Sequence, residues 1–272
     1  MAFPGGSYYP FQLRAIKAEV LHRIGRWNEL IPLLRRDLAR AQELEVVLHQ
    51  GRCLLKLGTI DAQRGNFAQA EKNVAQALEK YERAGDRAGI FRSRATLFMI
   101  TLNLKDYQRA EKITTGLLAE ARKNQDLPGE SEMLNNMGLL CIEAGKNQQA
   151  LEYFNLKLEL SRRIGDGSES AHAVGNIGRV HLINKNWPEA MACCREAIKL
   201  SRRTGDIFAE YYALYNLAQA CQEQSLTDEA RTHYRRDLEM ARQLGDGPGA
   251  AVILRDMENL NRSEKNNAGG QP

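Results

Sequence analysis

Cysteine is scarce in this chain of 272 residues: Cys53, Cys141, Cys193, Cys194 and Cys221 are all it has. An odd, thinly spread set does not make a disulfide framework, and it reads as reduced thiols in a cytoplasmic protein. Neither sign of charge dominates. Lys plus Arg number 38 and Asp plus Glu 34, a formal net charge of +4, which argues against a dedicated polyanion binder. No apolar run approaches the roughly 18 residues a membrane-spanning helix needs, so no membrane insertion is expected. The opening MAFPGGSYYPF has neither the basic n-region nor the apolar h-region of a secretory signal. HExxH, paired CxxC, GxSxG and the phosphate-binding G-x4-GK[ST] are all absent, so the sequence offers no catalytic, metal or cofactor site. The adjacent Cys193 and Cys194 have poor geometry as two ligands from one helix face. Cys141 and Cys221 share a repeat column with Asp61, Thr101 and His181 and read as small buried hydrophobes.

What the sequence does have is a period. Asp86, Asp126, Asp166, Asp206 and Asp246 recur every 40 residues, four of them preceded by Gly85, Gly165, Gly205 and Gly245, with Gln125 the exception. Sixteen residues before each stands an alanine: Ala70, Ala110, Ala150, Ala190 and Ala230. Eight residues after the alanine the side chain is aliphatic, as in Leu78, Leu118, Leu158, Ile198 and Leu238. Six copies fit without a gap: 7–46, 47–86, 87–126, 127–166, 167–206 and 207–246.

Each copy reads as two helices. Leu134, Met137 and Cys141, then Ala150, Phe154 and Leu158, are spaced by three and four and so share a helical face within each set. The Gly-Asp pairs supply a left-handed cap for one helix and an N-cap for the next. Asn186 is expected to cap a second helix, with Pro188 in its first turn and Glu189 closing a capping box. Gly58, Gly138, Gly178 and Ala218 form a small-residue column that lets paired helices approach closely, while Phe98 breaks it and should alter the packing of the third copy. Residues 1–6 are a leader, 247–262 a capping helix with Leu254 and Met257 on its apolar positions, and 263–272 a disordered tail.

These residues resemble the tetratricopeptide repeat family, in the long form of about 40 residues found in LGN/Pins-like scaffolds, kinesin light chains and Rap-like bacterial regulators. The pattern [LIM]-[GA] in the first helix and A-x3-[FY]-x3-[LI] in the second is plainest in NNMGLL…AGKNQQALEYFNLKLELSRRIGD. The resemblance implies an all-α, right-handed α-solenoid of six helix-turn-helix repeats plus the capping helix. It also implies a concave face, lined by the first helices, that holds a peptide.

Three columns then become groove candidates. One gives Lys56, Thr96, Asn136, Asn176 and Asn216; another Arg52, Arg92, Glu132, His172 and Tyr212; the third Thr59, Met99, Leu139, Arg179 and Gln219. The asparagines can pair with a peptide backbone, or merely tolerate a polar face or bond a neighbouring hairpin. Arg52, Lys56, Arg92 and Arg179 suit an acidic segment, although Glu132 and Glu143 interrupt them. Tyr211 and Tyr215 can stack on a ligand or pack in the core. The function expected is a non-enzymatic scaffold or adaptor that captures a partner's protein or peptide segment. The first alternative is a sensor of a signalling peptide acting through a partner. RNA binding, the second, is disfavoured by the balanced charge, and self-association is left open.

Overall fold

The computed structural model describes residues 17, 18, 21 and 26–268, with side chains up to residue 262. The expected leader at 1–6 lies outside the described residues. Among those described there are twelve complete helices and no strand. They are α1 (Trp27–Glu43), α2 (Val47–Gln63), α3 (Phe67–Ala84), α4 (Arg87–Asn103), α5 (Tyr107–Lys123), α6 (Leu127–Glu143), α7 (Asn147–Ile164), α8 (Gly167–Ile183), α9 (Trp187–Thr204), α10 (Ile207–Glu223), α11 (Thr227–Leu244) and α12 (Gly247–Ala268). The helices pack as sequential antiparallel hairpins. They form two compact units, the first ending at Leu117 and the second beginning at Leu118, within α5.

The breaks between helices are set by single left-handed residues. Gly85, Gly165, Gly205 and Gly245 have φ between 67° and 75°, and the amide of each following aspartate reaches back to a carbonyl of the helix just closed, as Asp166 N does to Ser161 O at 2.9 Å. Gln125, which departs from glycine in sequence, takes the same conformation at φ 55°, because the tertiary frame fixes the turn whatever residue fills it. Asp126, Asp166, Asp206 and Asp246 accept the amides of Gly129, Glu169, Ala209 and Gly249 at 2.9–3.0 Å. Asp86 makes no such bond. Nor does Asn186, contrary to the expected capping box: its side chain makes no bond to the helix it precedes, and Pro188 occupies the first turn as expected.

The small-residue column is a packing device. A Cβ on Gly138 would lie 2.4 Å from the Phe154 ring, and one on Gly58 2.5 Å from Val74 Cγ2, so α6 meets α7, and α2 meets α3, almost backbone to side chain. Phe98 fills the column in α4 and is itself 1% exposed. In the second unit one core runs from Cys141 to Leu260, through Phe154, Ile177, Leu217 and Tyr234.

The final helix departs from expectation twice. Its buried stripe is Ile253 and Leu260, with Met257 partly buried against the same core, while Leu254 is 44% exposed. The positions equivalent to Leu254 (Leu54, Leu134 and Leu214, all buried) belong to first helices that have a following helix to pack on, and α12 has none among the described residues. The helix also continues past residue 262 to Ala268, because NRSEKNNA contains neither proline nor glycine to stop it. Residues 269–272 of the expected tail lie outside the described residues.

Candidate functional site

The first helices of successive hairpins, α6, α8, α10 and α12, line a concave cavity of about 1020 Å³ in the second unit. Seven residues of the expected groove columns reach it: Glu132, Leu139, His172, Asn176, Arg179, Tyr212 and Asn216. The repeat explains why. Positions 40 residues apart occupy the same place on equivalent helices, so one column of the sequence becomes one row along the cavity wall.

Two expected residues of this unit do not line it. Asn136 is buried, at 9% exposure, and Gln219 donates to the Tyr215 hydroxyl at 3.0 Å. The asparagine that does line the cavity on α6 is Asn135. Its side-chain oxygen accepts from Asn176 at 2.9 Å and from Lys157 Nζ at 3.2 Å. The repeat column pointed to Asn136, and the one-residue difference arises because Asn135 has polar partners on both neighbouring helices. No sequence period marks that pairing. Arg52, Lys56 and Arg92 lie in the first unit, on α2 and α4. Both arginines are exposed and Lys56 is half-buried.

The cavity floor is ionic. Lys157, with a side chain only 4% exposed, pairs with Glu169 Oε2 at 2.8 Å, and Ser131 donates to the same oxygen at 3.3 Å. His172 Nε2 lies 3.0 Å from Asp206 Oδ2, which also accepts from Ser168. Burial alone would raise the Asp206 carboxyl, but the Ala209 amide, the Ser168 hydroxyl and His172 outweigh it and hold it below the usual range. Arg179 faces Glu143 at 3.8 Å. Asp246 caps α12 and accepts from the Tyr211 hydroxyl at 3.0 Å.

Once these partners are assigned, one lining carboxylate remains. Glu132 has no hydrogen-bond or ion-pair partner among the described residues. Partial desolvation pushes its carboxyl above the ordinary range, and Glu169 adds to this against the pull of Lys157. An approaching cation would relieve that repulsion.

The tyrosines divide their roles. Tyr211 is buried and its hydroxyl is raised by burial and by its bond to Asp246. Tyr215, half-buried, donates to Asp256 at 2.8 Å, and burial followed by that bond pushes its hydroxyl up to about 12. Tyr212 is 61% exposed, with its ring centroid 5.3 Å from that of Tyr211. It therefore offers a ring face on the cavity wall, which Val252 also lines. With Leu139, Ile164 and Ile253 also lining the cavity, the site combines apolar wall, aromatic face and unpaired carboxylate. Among the described residues no helix is long and apolar enough to cross a membrane.

Family models described as tetratricopeptide repeat match residues 15–46, 129–203 and 169–243, together more than half of the chain. No curated protein sequence matches it. Among solved structures, NprR in complex with its cognate peptide NprX is similar at TM-score 0.68 and 13% identity, over 97% of this chain and 79% of that one. A Rap protein complexed with competence and sporulation factor is similar at TM-score 0.62 and 13% identity, covering 91% and 73%. Aspartyl phosphate phosphatase F from Bacillus subtilis follows at 0.63 and 12%, covering 90% and 68%. At these identities the likeness is one of fold: all-α, an α-solenoid of helix-turn-helix repeats.

Proposed function

The chain belongs to the tetratricopeptide repeat family, and from that premise we propose that it is a non-enzymatic interaction scaffold whose second unit captures a peptide segment of a partner in the α6–α8–α10–α12 cavity. The observation that carries this reading is the row of side chains 40 residues apart on that wall: His172 with Tyr212, Asn176 with Asn216, and Leu139 with Arg179. A repeating wall suits a repeating ligand backbone, whereas a compact substrate would need convergent groups. Asn216 offers a backbone contact. Asn176 can exchange its bond to Asn135 for one to the ligand. Gln219, behind Tyr215, braces the wall, and Asn136 supports α6 from within.

The ligand favoured here carries an apolar side chain for the Tyr212–Val252 wall and a cation for Glu132. An acidic segment suits the first unit instead, where Arg52, Lys56 and Arg92 lie on two equivalent helices. The five cysteines, none in a disulfide and four of them buried, support a reducing, cytoplasmic setting. A second reading, a sensor of a signalling peptide acting through a partner, draws support from the fold shared with NprR, whose structure holds its cognate peptide.

Random-peptide display on the immobilised full chain tests the proposal, with recovered peptides titrated by fluorescence anisotropy. Peptides pairing an apolar residue with Lys, Arg or a free amino terminus should emerge. Their affinity should fall at least tenfold with Tyr212→Ala and with Glu132→Lys. Failure to enrich any peptide, or enrichment of peptides indifferent to both substitutions, would remove the cavity from the account.

A further inference from the structure

The hairpin α10–α11 carries a cluster that the cavity does not use. Cys221 stands near the end of α10, and Glu229 and His233 are four residues apart on α11, so both face the same way. The Cys221 sulfur, a Glu229 oxygen and a His233 nitrogen all lie within 4.8 Å of one another. We propose that these three residues form a site for a borderline divalent cation, with zinc the best fit.

The donor chemistry supports the choice of ion. Sulfur, imidazole nitrogen and carboxylate oxygen are the ligand set of tetrahedral zinc, bound at about 2.3, 2.0–2.1 and 2.0–2.2 Å respectively, and hard cations such as magnesium and calcium reject the thiol. Donors around such an ion stand roughly 3.3–3.7 Å apart by tetrahedral geometry at those bond lengths. Binding therefore requires the donors to draw together by up to about 1.5 Å from their 4.8 Å limit. Burial is graded across the set: Cys221 is wholly buried, His233 half-buried and Glu229 exposed. The thiolate would anchor the ion against the hairpin, the other two would close over it, and a water would take the fourth position.

The preceding hairpin provides a second observation. Forty residues earlier, the same three positions hold His181, Glu189 and Cys193: the same residue types, with histidine and cysteine exchanged. There the buried His181 Nδ1 has no hydrogen-bond partner. In the second copy these positions are Asp61, Gln69 and Asn73, which satisfy one another at 2.9 and 3.1 Å. The third and fourth copies hold Thr101, Arg109 and Ile113, then Cys141, Gln149 and Tyr153, neither with three metal donors.

One contact competes. Arg195 Nη2 lies 3.1 Å from Glu229 Oε2, with both side chains more than half exposed. An exposed pair of this kind contributes little and its arginine can swing away. The bound ion would clip α10 to α11 and stiffen the last complete hairpin.

Cobalt(II) added to the reduced, metal-free full chain is the probe, followed by zinc in competition with a chromophoric chelator. The expected result is a saturable thiolate-to-cobalt charge-transfer band with tetrahedral d–d absorption. Zinc should displace it and raise the melting temperature. Glu229 is exposed and His233 half-buried, so Glu229→Gln and His233→Asn, each checked for folding by circular dichroism, should weaken zinc binding at least tenfold and abolish the thermal shift. Cys221→Ser, checked for folding by circular dichroism, should remove the charge-transfer band. A chain with no thiolate band, or one whose band and zinc affinity survive His233→Asn and Glu229→Gln, overturns the proposal. If the band instead follows His181 and Cys193, the site belongs to the preceding hairpin and this assignment fails.

Discussion

Asp237 is the group whose chemistry conflicts most with its surroundings. It lies on α11, fully buried, and neither carboxyl oxygen has a hydrogen-bond partner. Burial, with a smaller contribution from Asp246, pushes its carboxyl up to about 8. In the unfolded chain an aspartate titrates near its ordinary value of about 3.9. The native state therefore holds a proton that the unfolded state releases over this whole window. Through this group, stability is unaffected below about pH 4, falls as pH rises, and levels off above the native value. At about 1.36 kcal/mol per pH unit, the loss between pH 5 and pH 8 comes to about 3–4 kcal/mol. Asp237→Asn keeps the shape and removes the charge. Urea unfolding of both proteins at the two pH values checks this, using Trp187 fluorescence in a Trp27→Phe background so that only the second unit is read. The advantage of Asp237→Asn over the parent should grow by about 3–4 kcal/mol from pH 5 to pH 8. An advantage equal at both values would mean that the carboxyl is ionised and paired throughout, and the reasoning about its burial would be wrong.

Further expectations concern packing and turns. Gly138→Ala would gain about 1 kcal/mol of helix propensity but force a methyl to 2.4 Å from the fully buried Phe154 ring. Overpacking costs about 1–3 kcal/mol, so a net loss is expected in urea melts. Gln125→Gly relieves a left-handed backbone at φ 55° and should stabilise by about 0.5–1 kcal/mol, since glycine alone takes that region freely. On α12, Leu260→Ala should cost about 2–4 kcal/mol, against at most about 0.5 for the exposed Leu254→Ala. Equal costs for this pair would contradict the buried stripe.

The parts legible in the sequence were those that repeat. The 40-residue period located the helix breaks, because left-handed caps and aspartate N-caps are local chemistry written in one or two residues. It also placed Leu139, His172, Asn176, Arg179, Tyr212 and Asn216 on one wall, since equal spacing on equivalent helices yields equal orientation. What stayed hidden depends on contacts between copies. Asn135 matters because Lys157 and Asn176 converge on it, and those residues lie in three different helices and columns. Glu132 shares a groove column with His172 and Tyr212, but that it stands unpaired shows only once the other lining carboxylates are seen to have partners. Leu254 looked buried because its column is buried elsewhere, and only the missing neighbour of α12 exposes it.

The central claim is that a peptide lies along the first helices of the second unit. A recovered display peptide carrying a photoreactive benzophenone, cross-linked to the full chain and mapped by mass spectrometry, tests it most directly. Adducts should fall on α6, α8, α10 and α12, at or beside Glu132, His172, Tyr212 and Val252, and an excess of unlabelled peptide should suppress them. Adducts confined to the second helices, α7, α9 and α11, or to the first unit, would contradict it.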